Sequence, residues 1–194
     1  MEQKYLEAMN VIVSHIEHGI GRVDPEDLDA AVNKIVEVRD AGGKIFIVGS
    51  GRSGSVAKTF AIRLSQFPER VYFRVYFAAD IARKVESHDL VMVLSGSGRT
   101  ASAAHAAKKA REIGASVLAV TSAEESELMN WADISVTLTG GARGEDKGQI
   151  SSLAPLGTLF ECSAMVLLDC MIAEIMKKLR VSEAELHHYQ LDDL

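Results

Sequence analysis

Up to residue 43 the apolar positions of the chain fall at helical spacing. MEQKYLEAMNVIVSHIEHGI mixes charged and apolar residues at that period, and Asp24-Pro25-Glu26-Asp27 supplies an N-cap, a proline at the first helical position and acids in the first turn. The second of two helices is therefore expected to run to about Arg39, ended by Gly42-Gly43. From Lys44 the pattern changes to short aliphatic or aromatic runs separated by helical stretches. It predicts strands over Lys44–Val48, Val71–Phe77, Leu90–Leu94, Ser116–Val120 and Ile134–Leu138, with helices over Ser53–Gln66, Thr100–Ile113 and near Glu124–Trp131. Such alternation is the mark of parallel βαβ units, and it predicts an α/β fold, a three-layer α/β/α sandwich.

The segment Thr139 to Leu153, TGGARGEDKGQISSL, is rich in glycine and charge and reads as the one long loop, a candidate lid or flexible tip. After it Pro155 is expected to open a long helix to about Leu179, and Ser182 to cap a short last one. No linker marks a second domain. The expected organisation is a single domain over 1–194, with N-terminal helices in 1–43, a βα core in 44–138, a loop in 139–154 and C-terminal helices and tail in 155–194. The helix from Pro155, with Met165, Leu167, Leu168, Met171, Ile172 and Ile175, holds more apolar residues than one buried stripe needs, and an oligomer interface is expected there.

Two glycine-serine pentads stand at the carboxyl ends of predicted strands, Gly49-Ser50-Gly51-Arg52-Ser53 and Gly96-Ser97-Gly98-Arg99-Thr100. In open α/β sheets ligands bind outside those ends. A glycine-rich turn from strand to helix lets backbone N–H groups approach an anion, and Ser or Thr hydroxyls add uncharged donors, so both pentads point to phosphate. Gly49 to Gly54 formally satisfies G-x-G-x-x-G, with Asp80 beyond the next strand, which keeps a dinucleotide site as a rival. A triphosphate loop would need lysine where Ser55 stands. The second pentad favours a sugar phosphate, because a dinucleotide needs one fingerprint whereas Ser95, Ser97 and Thr100 form a hydroxyl cluster suited to a single terminal phosphate. The alternative for both loops is a tight turn whose glycines serve packing only; Arg52 and Arg99 could equally face solvent or pair across an interface.

Charge narrows the partners. With 21 Lys+Arg against 27 Asp+Glu, the net charge of -6 has the wrong sign for a dedicated nucleic-acid binder or for attraction to anionic lipid. The apolar run from Leu153 to Met176 is broken by Glu161, Asp169 and Glu174, which argues against a membrane span. The first twenty residues lack the design of a signal peptide, and a cytoplasmic protein is expected. Cys162 and Cys170 lie ~12 Å apart along a helix, too far to bridge, and are expected to be reduced, packed side chains. No Cys/His cluster has metal-ligand spacing, so no metal or cofactor is expected.

Together VGSGRSG, FAIRL, LSGSGRT, APLGTLFE and DCMIAEIM resemble the sugar isomerase (SIS) domain family, in its 6-phospho-3-hexuloisomerase branch. The resemblance covers nearly the whole chain, and APLGTLFE with its helix is more specific than the loops. It implies a five-stranded parallel sheet, a homotetramer, and metal-free conversion of 3-hexulose 6-phosphate to fructose 6-phosphate. The chain departs from the family's pattern in Arg74–Lys84, which lacks proline, at Gln66, where a histidine is common, and in the tail HHYQL.

Moving a carbonyl from C3 to C2 requires taking a proton from the adjacent carbon, forming an enediol, and returning a proton to its neighbour, work that one carboxylate can do. The resemblance implies that Glu161 is this base; on its residue context alone it could equally be a helix-dipole or interface ion-pair residue. It also implies that His188 assists ring opening or shuttles a proton. Substrate contacts are expected from Ser50, Gly51, Arg52, Ser53, Ser95, Gly96, Ser97, Gly98 and Thr100. Isomerisation of another phosphosugar and non-catalytic sugar-phosphate sensing stand as alternatives.

Overall fold

A computed structural model describes residues 2–77, 83–138 and 152–186. Residues 139–151 of the expected loop 139–154, Asp80 within residues 78–82, and the tail with His188 lie outside the described residues. Helices α1 (Glu2–Ile20) and α2 (Pro25–Asp40) precede β1 (Lys44–Gly49), α3 (Gly51–Ser65), β2 (Arg74–Phe77), β3 (Leu90–Leu94), α4 (Ala101–Ile113), β4 (Ser116–Thr121), β5 (Ile134–Thr137) and α5 (Thr158–Leu179). Asp24 caps α2 as its sequence predicts, its side chain accepting from Glu26 N at 2.8 Å.

The five strands form one wholly parallel sheet in the order β2-β1-β3-β4-β5. Parallel strands need both faces covered, so they read as unbroken apolar runs rather than alternating ones. LVMVL of β3 shows this: Leu90, Met92 and Leu94 enter a core with α2, α3 and α5, whereas Val91 and Val93 pack with Ala103, Ala107 and Ala110 of α4. α3 sits very close to β1. A Cβ at Gly49 would lie 2.8 Å from Ser53 O, and one at Gly54 2.8 Å from Gly49 O, so these two glycines serve packing.

The structure differs from the sequence expectations in five places. The expected strand from Val71 begins only at Arg74, because Glu69–Val71 winds into a 3-10 turn. In place of a helix over 124–131 only Met129–Trp131 makes a 3-10 turn: the Leu128 amide donates to Gly98 O at 3.1 Å and the Met129 amide to Ser126 Oγ at 3.3 Å, so both are lost to a helical ladder. α5 starts at Thr158 instead of Pro155, since Leu156 (φ 64) and Gly157 (φ 145) are non-helical. Its apolar surplus is buried within the chain: Leu167, Leu168, Met171, Ile172 and Ile175 all belong to the core, and α1 packs across α5. The exposed apolar stripe lies on α1, at Tyr5, Leu6, Met9 and Val13. Cys170 is exposed, not packed; Cys162 is half-buried, and both are free.

The C-terminal turn Glu183–Glu185 is tied down by a capping box, in which Ser182 N and Ser182 Oγ each donate to Glu185 Oε2 at 2.8 Å, with Arg70 Nη2 on Oε1. These donors, the Ser182 amide foremost, lower the Glu185 pKa from 4.5 to about 2. A carboxylate depressed in the folded state stabilises it fully above its unfolded value, so this contribution is complete above pH 4.5 and is lost as pH falls through about 2. A carbon-13 titration of Glu185 should give a midpoint near 2; one near 4.5 would mean that the clasp does not form in solution.

Candidate active site

The strand order reverses between β1 and β3, which lie side by side with their connections leaving to opposite faces. A crevice at the carboxyl ends of such a pair is where this architecture receives ligands. Both pentads fall there, one on each side of the reversal.

In the first loop Gly51 takes φ +57 with open space where a Cβ would be, so its backbone conformation alone favours glycine. Ser50 stands at the N-cap of α3 without making the side-chain cap bond expected there. Its hydroxyl lies 2.7 Å from Ser102 Oγ in the first turn of α4, joining the two loops. Thr100, at the N-cap of α4, also makes no side-chain cap bond. The first-turn amides of both helices are therefore left without hydroxyl caps at the same end of the sheet, an arrangement suited to an anion.

The second loop is more enclosed. Ser95 is buried, its amide bonded to Val120 O at 3.0 Å and its hydroxyl 3.2 Å from Thr100 Oγ1. Ser97 Oγ accepts from Arg99 N at 3.3 Å, and Gly96 O accepts from both Ser122 N and Ser122 Oγ, at 3.1 and 2.8 Å. A Cβ at Gly96 would meet the Phe160 ring at 2.8 Å, so the loop lies directly against the first turn of α5. Gly98 has φ +60 and backs onto Ser126.

Glu161 follows Phe160 in that first turn. Arg52 and Ser53 of the first loop turn toward it: Arg52 Nε lies 3.0 Å from Oε2, and Ser53 Oγ donates to Oε1 at 3.4 Å. The Arg52 contact is an ion pair by distance, but its N–H is not aligned for a hydrogen bond, so buried Oε2 has a charge partner and no hydrogen-bond donor. Arg52 Nη1 also donates to Thr158 Oγ1 at 2.9 Å. Beside this group opens a cleft of about 530 Å³ lined by Ile16, Arg52, Ser55, Glu161, Cys162 and Met165, among others. Arg99, at the matching place in the second loop, faces a different cleft with Glu124, Glu125 and Ser126.

Sequence reasoning thus named most of the residues gathered here but not their grouping, and it missed Ser102, Phe160 and Thr158. A signal for two of them was present. Ser102 lies two positions past a cap residue, and Thr158 precedes Glu161 by three, which puts both on one helix face.

Among the described residues one cluster has metal-ligand composition, Glu86, His88 and Asp89, at the amino ends of the strands. It is occupied by Lys44, whose backbone N donates to Asp89 Oδ1 at 2.8 Å and whose ammonium lies 3.3 Å from Asp89 Oδ2 and also pairs with Glu86. That contact to Glu86 holds Lys44 above the usual lysine range and Glu86 below the usual carboxylate range. No helix among the described residues is long and apolar enough to cross a membrane.

Comparison with known proteins agrees with the fold. A family model of the SIS domain matches residues 37–160, from the end of α2 to the residue before Glu161. The 3-hexulose-6-phosphate isomerase of Methanocaldococcus jannaschii is 36% identical over 160 residues, covering 82% of this chain and 79% of its own. The enzyme of the same name from Bacillus subtilis is 29% identical over 192 residues, covering 97% of this chain and 100% of its own. A crystal structure from Methanococcus jannaschii, from which a molecular function of 3-hexulose-6-phosphate isomerase was inferred, superposes with a TM-score of 0.78 at 32% identity and covers 95% of this chain and 99% of that one. With the family match spanning both loops and the sheet that carries them, the chain belongs to the SIS domain family and stands among its sugar-phosphate isomerases.

Proposed function

We propose that the protein converts 3-hexulose 6-phosphate to fructose 6-phosphate through an enediol, with Glu161 as the base. The observation that carries this reading is that one end of the sheet brings together a hydroxyl-lined, glycine-rich loop and a carboxylate held in place by the neighbouring loop. Ser50, Ser95, Ser97, Thr100 and the first-turn amides of α3 and α4 would anchor the phosphate, fixing the carbon chain against Glu161. Glu161 takes the proton from C2, the C3 carbonyl becomes an enediol hydroxyl, and the proton returns at C3 as the carbonyl forms at C2. His188 is proposed to carry the proton between the two oxygens. The names borne by the relatives support this substrate over other phosphosugars.

Exposing the protein to a panel of phosphosugars tests the choice, since a specific ligand raises the melting temperature by mass action. 3-Hexulose 6-phosphate and fructose 6-phosphate should raise it most and be interconverted. Stabilisation by a different phosphosugar, without interconversion of this pair, would move the protein to another substrate or to sensing.

We further infer that the chain works as a homo-oligomer, a tetramer by its family resemblance. Supporting this, Tyr5, Leu6, Met9 and Val13 make a stripe on α1 with each residue at least half exposed, an arrangement that favours covering by a second copy. Met9→Asp with Val13→Asp should lower the mass measured by light scattering while leaving the fold intact. An unchanged mass would remove α1 from the interface.

A further inference from the structure

We propose that Thr158 is a positioning residue for the reaction: it fixes the Arg52 guanidinium, which in turn fixes the carboxylate of Glu161. The inference rests on the reading of Glu161 as the base. Arg52 cannot be held by packing, because 58% of its side chain is exposed. Two polar contacts hold it, both to the first turn of α5: Nη1 on Thr158 Oγ1 at 2.9 Å and Nε beside Glu161 Oε2 at 3.0 Å. Thr158 and Glu161 are three residues apart and so share one helix face, and the planar guanidinium spans them.

Elementary donor counting fixes the direction of these bonds. A threonine hydroxyl has one proton, a carbonyl only accepts and a guanidinium only donates. Thr158 Oγ1 donates to Pro155 O at 2.7 Å, so it is a lone pair of Oγ1 that accepts from Arg52 Nη1. The same Pro155 carbonyl accepts from Gly157 N at 3.1 Å and Thr158 N at 3.2 Å, in the turn where Leu156 and Gly157 have positive φ. The irregular start of α5 therefore takes the Thr158 hydroxyl proton and leaves the oxygen's lone pair to Arg52.

For catalysis the consequence lies at Glu161 Oε2. This buried oxygen has the Arg52 guanidinium nearby and no aligned hydrogen bond, so it is oriented without a donor occupying the lone pair that must take a proton. If Thr158 lets go, Arg52 can swing into solvent or align fully with the carboxylate, and either movement changes the position or the availability of the base.

Thr158→Val keeps the branched shape and deletes the hydroxyl. It should lower kcat about tenfold, a loss in keeping with a slightly misplaced base, and change KM by less than about twofold. Thr158→Ser should restore kcat, and adding Thr158→Val to Arg52→Lys should cost little beyond Arg52→Lys alone, because the two act through one contact. The Arg52 Nε–Hε resonance should shift toward that of a free guanidinium in Thr158→Val and return in Thr158→Ser. A kcat within twofold of wild type in Thr158→Val, a Thr158→Ser as slow as Thr158→Val, or fully multiplicative losses with Arg52→Lys would overturn the proposal. If the wild-type protein turns over no phosphosugar, the functional reading fails on its own, and the Arg52 resonance still decides whether Thr158 holds the guanidinium.

Discussion

Glu161→Gln is expected to lower turnover of the phosphosugar by about 10²- to 10⁴-fold, the usual contribution of a positioned general base, while changing substrate affinity only a few-fold. Glutamine has the same shape: its amide oxygen can lie beside Arg52 where Oε2 stood, and its NH2 group can donate to the Ser53 hydroxyl where Oε1 stood, so both groups that hold Glu161 keep a partner. What it cannot do is take a proton from carbon. Steady-state rates combined with calorimetric titration of the product separate the two quantities. Equal loss of rate and affinity would mean that Glu161 binds the sugar and that the base is elsewhere; wild-type turnover would remove it from the chemistry altogether.

Gly98→Ala should produce the largest loss of stability among single methyl additions in the second loop. Gly98 has φ +60, a region that costs an L residue about 1–2 kcal/mol. A Cβ there would also lie 2.5 Å from Ser126 Cβ, an atom fixed to its own backbone that no change of rotamer moves away. Overpacking of this kind costs a further 1–3 kcal/mol or so, giving a total of about 3 kcal/mol and a fall in Tm of roughly 6–12 °C. Leu128 N is bonded to Gly98 O, so the displaced loop should take the Met129–Trp131 turn with it, and phosphate affinity should drop as well. Adding Ser126→Gly should recover the packing part, less the bond that Ser126 Oγ accepts from Met129 N, and leave the dihedral part. Full recovery would show that the left-handed conformation carries no cost, contrary to this account.

Why the two loops behave so differently explains what could and could not be read from the sequence. The strands were legible because parallel strands buried on both faces leave continuous aliphatic runs, as in LVMVL, and α2 ahead of them because Asp24, Pro25 and Gly42-Gly43 mark its ends. The near-identity of the pentads was legible too, but it concealed a division of labour. Arg52 and Ser53 turn to Glu161, more than a hundred positions later in the chain, whereas Arg99 faces Glu124 and Glu125. That difference is set by where α5 crosses the sheet, and no local pattern encodes it. The helix expected over 124–131 failed for the same reason, since its amide at Leu128 is claimed by Gly98. Likewise the apolar surplus of α5 read as an interface because the sequence does not disclose that α1 lies across it.

The most direct test generates 3-hexulose 6-phosphate from ribulose 5-phosphate and formaldehyde with a separate synthase and follows fructose 6-phosphate, with wild-type protein and with Glu161→Gln. Rapid formation of fructose 6-phosphate by the wild-type protein, nearly absent in a variant that still binds the product, is the predicted result. Absence of turnover by the wild-type protein, or equal turnover by both, would contradict it.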